Sequence, residues 1–539
     1  MLFGLFMLIT FFANIGALPT DIMESRNIVT AREMVSDGNW LVPTMNGELR
    51  LEKPPLPTWI AGGVEILCPG SLAAQRVPAA LMGCLWTVFL FLMARRMSRR
   101  DDYAAVATVV FLTCYNLILM GRSATWDIYC HAFMMVAIYF LAVALEEKRP
   151  AWGRFALAGA LMGLSFLCKG PVSFYTLLLP YVVAVLLLDR PSMRGKWGGM
   201  VLLIVVMVVV GGWWYAYLLG LHPTEAQEVF HKEAGNWSNH NTRPWHYYWR
   251  FFLEMGIWAV LMLAALVAGY WRRHLKMRRE YMFCLVWAVG SLVLLSLMPE
   301  KKTRYLLPLL APCALLVATV VVDFREEGTP RDAFCKVLWR GNGWLTALIV
   351  AAIPFAGYFF GVRKGAVGWP AEVVVAAVCV MAAVALVYAA QHYRPLLHVA
   401  AVAAAFAGIE LTMLPIAGDT FGNPQRKSIQ LLAENSELQG VPFYHNEKEP
   451  LRIELVYALG RKILPLDLSD TLAVTQHLPM VIVTQGTAEE ELPANLVQRI
   501  ETVDYGFFDD NKHPPTDKHY NPAFLNHVTL LRNKSKAYE

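Results

Sequence analysis

Charge is scarce in this chain. Only 17% of its 539 residues are Asp, Glu, Lys or Arg, against about a quarter in an ordinary soluble domain. The length alone would accommodate three or four soluble domains, and so little charge argues against them. The net charge is only +5, which gives no footing for a nucleic-acid partner. Disulfides are equally unsupported: the nine cysteines all lie between Cys68 and Cys379, mostly inside apolar runs, so no framework of pairs is implied. Met1–Leu18 has neither the basic start nor the small-residue cleavage site of a secretory signal, so it is expected to be the first span. No internal repeat or low-complexity tract is apparent, nor is the weak repeat symmetry of many transporters. Glu52, Asp127 and His231 could ligate a divalent ion, but no spacing demands one, so neither a metal nor another cofactor is expected.

Long apolar runs are what the chain does have. Hydrophobic residues make up 56% of it and concentrate in residues 1–415. A helix needs about 20 mostly apolar residues to cross a hydrocarbon layer about 30 Å thick. About thirteen stretches qualify: 1–18, 76–94, 103–120, 129–146, 154–168, 171–188, 198–220, 251–270, 281–298, 305–322, 343–361, 371–390 and 396–415. The expected fold is therefore all-α and polytopic. Alternate short loops collect basic residues, such as Arg95, Arg96, Arg99 and Arg100, or Arg272, Arg273, Lys276, Arg278 and Arg279. Those loops are expected on the cytoplasmic side, and an odd number of spans puts the remaining segment, 416–539, outside. That segment is polar and mixed. Ser428–Glu437 reads as a helix, while Val441–Tyr444, Met480–Thr484 and His527–Leu531 read as strands, giving an extracytoplasmic α/β domain.

The opposite, outward loops carry the chemistry. The first, residues 19–75, contains Asp21 and Glu24 at the spacing of a capping box, ahead of a juxtamembrane helix over 22–36 stopped at Asp37-Gly38. That spacing supports a capping role and a catalytic one equally. Ile28, Ala31 and Val35 are spaced to lay one helix face on the membrane surface. Glu52-Lys53 precedes two prolines, which stiffen the chain and hold two opposite charges near the headgroups. Arg122 and Asp127 flank the next span, where ionisable groups are costly and face a cavity or a partner. They are either a structural Arg–Asp pair or part of a site. Lys169 sits in a tight Lys-Gly-Pro turn, where it either snorkels or binds. The fourth loop, Leu221–Arg250, mixes aromatics with His231, Lys232, Asn236, Asn241 and Arg243. The fifth, Pro299–Tyr305, places Lys301, Lys302 and Arg304 beside Tyr305, on the side where cations are not expected. Arg and Lys are the natural partners of phosphate. Acids, cations and a tyrosine on one face suit a site that binds a lipid-linked phosphate and moves the group attached to it.

These loops resemble those of the ArnT-like glycosyltransferases, the lipid A 4-amino-4-deoxy-L-arabinose transferases and their protein O-mannosyltransferase relatives. The resemblance rests on Glu24-Ser-Arg26, Ala31-Arg-Glu-Met34, Gly38-Asn-Trp40, Pro43, Asn46-Gly47, Glu52-Lys53-Pro54-Pro55-Leu56, Asp127, Lys169-Gly170, Pro244–Tyr248 and the pair Lys301 and Tyr305, in that order. It implies the C-type glycosyltransferase (GT-C) fold over 1–415 and a periplasmic domain over 416–539. It also implies a multi-pass protein of the inner membrane, taken as a monomer, with a polyprenyl-phosphate sugar as donor and a lipid or glycolipid as acceptor, foremost a lipid A phosphate. Donor-phosphate contacts carry onto Lys53 and Tyr305, and the family's fourth-loop arginine falls near Lys232 and Arg243. Lys169, Lys301 and Arg304 complete the cation set; Glu24, Asp21, Asp127 and Glu52 are the candidate catalytic acids. The family's Asp-Glu is Met23-Glu24 here, so its central acid is absent. A phosphate acceptor tolerates that loss, because its attacking oxygen is already anionic, whereas a protein hydroxyl needs a base. A protein O-mannosyltransferase-like enzyme and a polyprenyl-lipid flippase are the alternatives. A flippase should carry its charges near the bilayer midplane.

Overall fold

The computed structural model describes residues 2–149, 151–239, 241–327, 330–365, 367–414, 423 and 425–534. The expected boundary at 415–416 and the side chains of Asn236 and Trp237 lie outside the described residues. The chain divides into two compact units, one of 1–18, 51–60 and 72–417, the other of 19–50, 61–71 and 418–539. Most of the first outward loop thus belongs with the C-terminal segment.

In the membrane unit, nine helices among the described residues are long and apolar enough to cross a membrane: Leu72–Ser98, Trp126–Glu146, Trp197–Leu221, Trp245–Ala265, Arg278–Leu297, Thr303–Arg325, Ala333–Gly361, Trp369–Gln391 and Pro395–Thr412. Shorter apolar helices cover 3–12, 56–67 and 174–189. The expected thirteen full spans are therefore not reproduced among the described residues. The stretch expected at 103–120 breaks into Asp101–Leu112 and Tyr115–Met120, where the Thr113 hydroxyl donates back to the Val109 carbonyl and accepts from Trp258 Nε1 at 2.7 Å. Gly256, with φ of 55°, kinks Trp245–Ala265, a conformation that costs glycine little.

Thr303–Arg325 is the central helix, buried along nearly its whole length. Outer helices instead expose apolar rows such as Val201, Ile204, Val205, Val208 and Val209. Such rows would be untenable in water over this area and suit acyl chains. Helices Trp152–Lys169 and Trp197–Leu221 approach closely through small residues. A Cβ added at Gly159 would lie 2.3 Å from the Leu203 carbonyl oxygen, and one at Gly163 would lie 2.7 Å from Val210 Cβ. Close backbone approach of this kind is how helices associate where lipid is as apolar as the side chains.

The second unit holds a hairpin, β1 (Thr44–Met45) and β2 (Glu48–Leu49), and a five-stranded sheet. Its strands are β3 (Phe443–Asn446), β4 (Ile463–Leu466), β5 (Met480–Thr484), β6 (Ile500–Asp509) and β7 (Leu525–Asn533), in the order β4-β3-β5-β7-β6. β4, β3 and β5 are parallel; β7 and β6 continue the sheet antiparallel. β5 is buried at every residue, as a central strand covered on both faces should be. Ser428–Glu437 is not the expected helix. It forms two short 3-10 turns, Ile429–Leu432 and Ser436–Leu438, capped by Ser428 and Asn435. Such residues favour turns because their side chains bond the local backbone.

Helix Ile22–Asp37 belongs to this unit. It ends, as expected, at Gly38 in the left-handed conformation. It packs on Ile453–Leu459: Val29 shares a core with Leu455 and Leu459, and Arg32 lies over the Tyr457 ring while donating to the Tyr457 carbonyl at 2.9 Å. Of the three residues expected to lie on lipid, Ile28 and Ala31 are buried in protein and Val35 alone is exposed, so the face as a whole is not laid on the membrane surface. Glu33 is also buried and accepts from Asn46 N, Gly47 N and the Thr44 hydroxyl. Asn46 in turn pairs its amide with both backbone groups of Ile463, at 2.6 and 2.8 Å. The Asn46-Gly47 motif is thus a turn pinned to the edge of the sheet.

Candidate active site

Asp127 occupies the first turn of helix Trp126–Glu146, and Lys169 the last turn of Trp152–Lys169. Each charge sits at the helix end whose dipole favours it. Gly170, with φ of 68°, ends the second helix there. Lys169 Nζ donates to Asp127 Oδ1, and the two side chains are only 8% and 3% exposed. Lys169 therefore does not snorkel. Its ammonium lies 4.8 Å from the centroid of the Tyr305 ring. Tyr305 is in the 3-10 turn Thr303–Leu309 that opens the central helix. Its hydroxyl approaches Glu300 Oε1 at 3.4 Å, and Lys302 Nζ reaches the same oxygen at 2.5 Å. The Arg304 guanidinium lies 6.0 Å from the Tyr305 centroid, and its buried Nε has no hydrogen-bond partner among the described residues. Asp127, Lys169, Glu300, Lys302, Arg304 and Tyr305 form one cluster, anchored on three helix ends.

Backbone pairing holds the fifth loop in place. Thr242 and Glu300 form an antiparallel bridge, flanked by Arg243 N to Pro299 O at 3.3 Å and Lys301 N to Asn241 O at 3.2 Å. The Tyr248 hydroxyl accepts from Lys302 N at 2.9 Å and donates to Lys302 O at 3.1 Å. With Glu300 and Lys302 turned toward Tyr305, Lys301 points elsewhere. It is buried, donates its ammonium to the Met298 carbonyl, and burial lowers its pKa. The expectation that Lys301 stands with Tyr305 is corrected to Lys302. The Arg243 side chain is exposed. Lys53 is half-buried, and Glu52 pairs with Lys232 at 3.7 Å with both side chains partly in solvent.

Arg122 and Asp127 do not pair with each other. Arg122 donates to the carbonyls of Ile9, Thr10 and Ala13 at 2.5–3.1 Å, closing the C-terminus of helix Leu2–Phe12 where carbonyls lack partners. Asp21 and Glu24 lie in the second unit. Asp21 is the N-cap of Ile22–Asp37, accepting from Met23 N and Glu24 N at 2.8 Å. Glu24 is buried, and Lys512 stands near both acids, donating to the Thr20 carbonyl at 2.8 Å. Burial lowers the Lys512 pKa, against the pull of Asp21, Glu454 and Glu24.

Sequence reasoning overlooked Glu300, Tyr248 and Lys512. Glu300 was legible as the one acid in a cationic loop. Tyr248 entered only as the last residue of the Pro244–Tyr248 segment, with no role of its own. Lys512 had no local signal, because only the folded second unit brings it to a helix start nearly five hundred residues earlier in the chain.

The dolichyl-phosphate-mannose-protein mannosyltransferase family profile matches residues 52–215. The undecaprenyl phosphate-alpha-4-amino-4-deoxy-L-arabinose arabinosyl transferase 2 of Proteus mirabilis is 27% identical over 346 residues, 61% of this chain and 59% of that protein. The arabinosyl transferase of the same name, without the number, from Yersinia enterocolitica is 26% identical, covering 68% of this chain and 73% of its own length. The chain thus spans about three-fifths of the Proteus relative. Among solved structures, ArnT from Cupriavidus metallidurans bound to undecaprenyl phosphate superposes with a TM-score of 0.70 at 18% identity, over 98% of this chain and 97% of that one. The same protein in the apo state gives 0.65. These two likenesses show the fold.

Proposed function

Since this chain is an ArnT-like protein of the GT-C family, we propose that it transfers a sugar from a polyprenyl-phosphate donor to a phosphate of lipid A on the outer side of the inner membrane. The observation that carries the reading is the cluster at Tyr305, where Lys169, Lys302 and Arg304 surround one aromatic ring. In the reaction, a phosphate oxygen of the acceptor attacks the anomeric carbon. The bond from that carbon to the donor phosphate oxygen breaks, and polyprenyl phosphate leaves with the electron pair. No proton is removed from the acceptor. What must be stabilised is charge growing on the departing phosphate, and fixed cations in a dry site do this best. Lys302 and Arg304 serve that charge directly in this reading. Lys169, held by Asp127, sets the potential around the Tyr305 ring. Lys53 adds a further phosphate contact, with Lys232 and Arg243 supplementary. Glu52 orients Lys232. Asp21 is committed to capping its own helix, and this reading asks no acid at position 23 to act as a base.

The 52–215 match favours a second reading, transfer to a protein hydroxyl. That acceptor must lose a proton to a base, and Met23 supplies none. Mass spectrometry of lipid A from cells expressing the chain, the Lys302→Met and Arg304→Met variants, or neither, separates the readings. The expected result is one sugar added per modified phosphate, lost in both variants. Unmodified lipid A together with a glycosylated protein would overturn the lipid A assignment.

A further inference from the structure

At the end of the membrane unit that carries the basic loops, a cavity of about 720 Å³ opens among four elements. They are the last turns of Leu72–Ser98 and Trp126–Glu146, the π-helical turn Val185–Asp189, and the start of Arg278–Leu297. Helix Trp126–Glu146 has Asp127 in its first turn and Glu146 at its end. Its 21 residues at 1.5 Å each span about 30 Å. The cavity is therefore separated from the Asp127–Lys169 pair by roughly the thickness of the hydrocarbon layer, and the proposed transfer reaction makes no use of it.

Six lining side chains are cationic and four are carboxylates. Three of the carboxylates are already taken. Glu146 pairs with Arg96 at 2.6 Å, Asp189 with Arg279 through two bonds of 2.8 and 3.1 Å, and Glu147 with Arg154 from outside the lining. Lys196, only 6% exposed, donates to the Leu145 carbonyl. This leaves Arg99, Lys148 and Arg194, all exposed and without a carboxylate partner among the described residues, against the single acid Glu280. The uncharged wall is mostly apolar, including Leu145, Val185 and Phe283, with Ser192 and Tyr181 as its polar members. Directly beside Val185, Leu186 and Leu187 are 63% and 54% exposed on the outer surface of the unit. Three uncommitted cations thus adjoin an apolar surface that faces lipid. A soluble anion would use the first feature and gain nothing from the second. A phosphodiester carrying acyl chains uses both.

We propose that this cavity binds the headgroup of an anionic phospholipid, its phosphate meeting Arg99, Lys148 and Arg194 and its chains lying along Leu186 and Leu187. The test uses the full chain in mild detergent, with native mass spectrometry after addition of phosphatidylglycerol or phosphatidylcholine. Phosphatidylglycerol should be retained at least about tenfold better, since each cation near a charged headgroup adds measurably to binding. A combined Arg99→Gln, Lys148→Gln, Arg194→Gln variant, with an unchanged melting temperature, should lose that preference. Equal retention of the two lipids, or an undiminished preference in the variant, would overturn the proposal. So would inorganic phosphate raising the melting temperature of the unsubstituted chain as much as phosphatidylglycerol does, because the ligand would then be a soluble anion.

Discussion

Asp127 and Lys169 form a buried ion pair between the start of one helix and the end of another. An ionisable group beside an apolar run must face a partner or a cavity, so both residues stood out. Their pairing with each other did not, because Arg122 was the nearer cation in sequence and is instead drawn to the open carbonyls of the first helix. A buried pair stripped of one member leaves a charge without compensation, at a cost of about 3–5 kcal/mol, whereas an apolar replacement of both is often neutral. Lys169→Met alone should therefore lower stability by about that amount in detergent unfolding. Asp127→Leu combined with Lys169→Met should recover most of it while lipid A modification stays absent. If activity returned together with stability, the pair would be structural only. Lys301 shows the limit at this scale. No periodicity in the seven residues Pro299–Tyr305 separates Lys301 from Lys302, and the motif resemblance selected Lys301. The bridge between Thr242 and Glu300 decides which one turns toward Tyr305.

Elements were legible wherever a period or a stop signal exists. Helix Ile22–Asp37 ends at the Gly38 that was expected to stop it, and Met480–Thr484 is a strand over the residues anticipated. β4 and β6 went unread because Ile463–Leu466 contains a proline and β6 exposes much of its length, so neither shows a clean alternation. The crossing of Trp152–Lys169 with Trp197–Leu221 depends on glycine for space rather than for conformation. Gly159→Val should disrupt it, since the new Cβ meets a backbone carbonyl at 2.3 Å that no rotamer change can move, with a penalty of at least about 1–3 kcal/mol. Gly153→Ala, in the same helix and facing open space, should leave the melting temperature unchanged or slightly raised. Equal melting temperatures for the two variants would show that the crossing is loose.

Orientation is a property of the whole molecule, and native Cys68 offers a probe of it. Among the described residues it is the exposed cysteine, in the second unit. In intact cells a membrane-impermeant maleimide should label Cys68, and Cys68→Ser should abolish the signal. Lys148→Cys in that background should react only after permeabilisation; the opposite pattern would invert the topology. Composition and apolar runs were sufficient to establish a polytopic helical protein with an α/β segment, because the hydrocarbon layer imposes one minimum length and a continuous apolar composition on every helix that crosses it. Which parts of the chain make up each unit was decided only on folding. Residues 19–50 and 61–71 precede most of the spans, yet they complete the C-terminal sheet domain, through Val29 in its core and Asn46 on the edge of β4. No local pattern encodes that assignment. The faces of helix Ile22–Asp37 bury equally well against lipid or protein as far as hydrophobicity is concerned, and only the shape and hydrogen-bonding groups of a distant segment select between them.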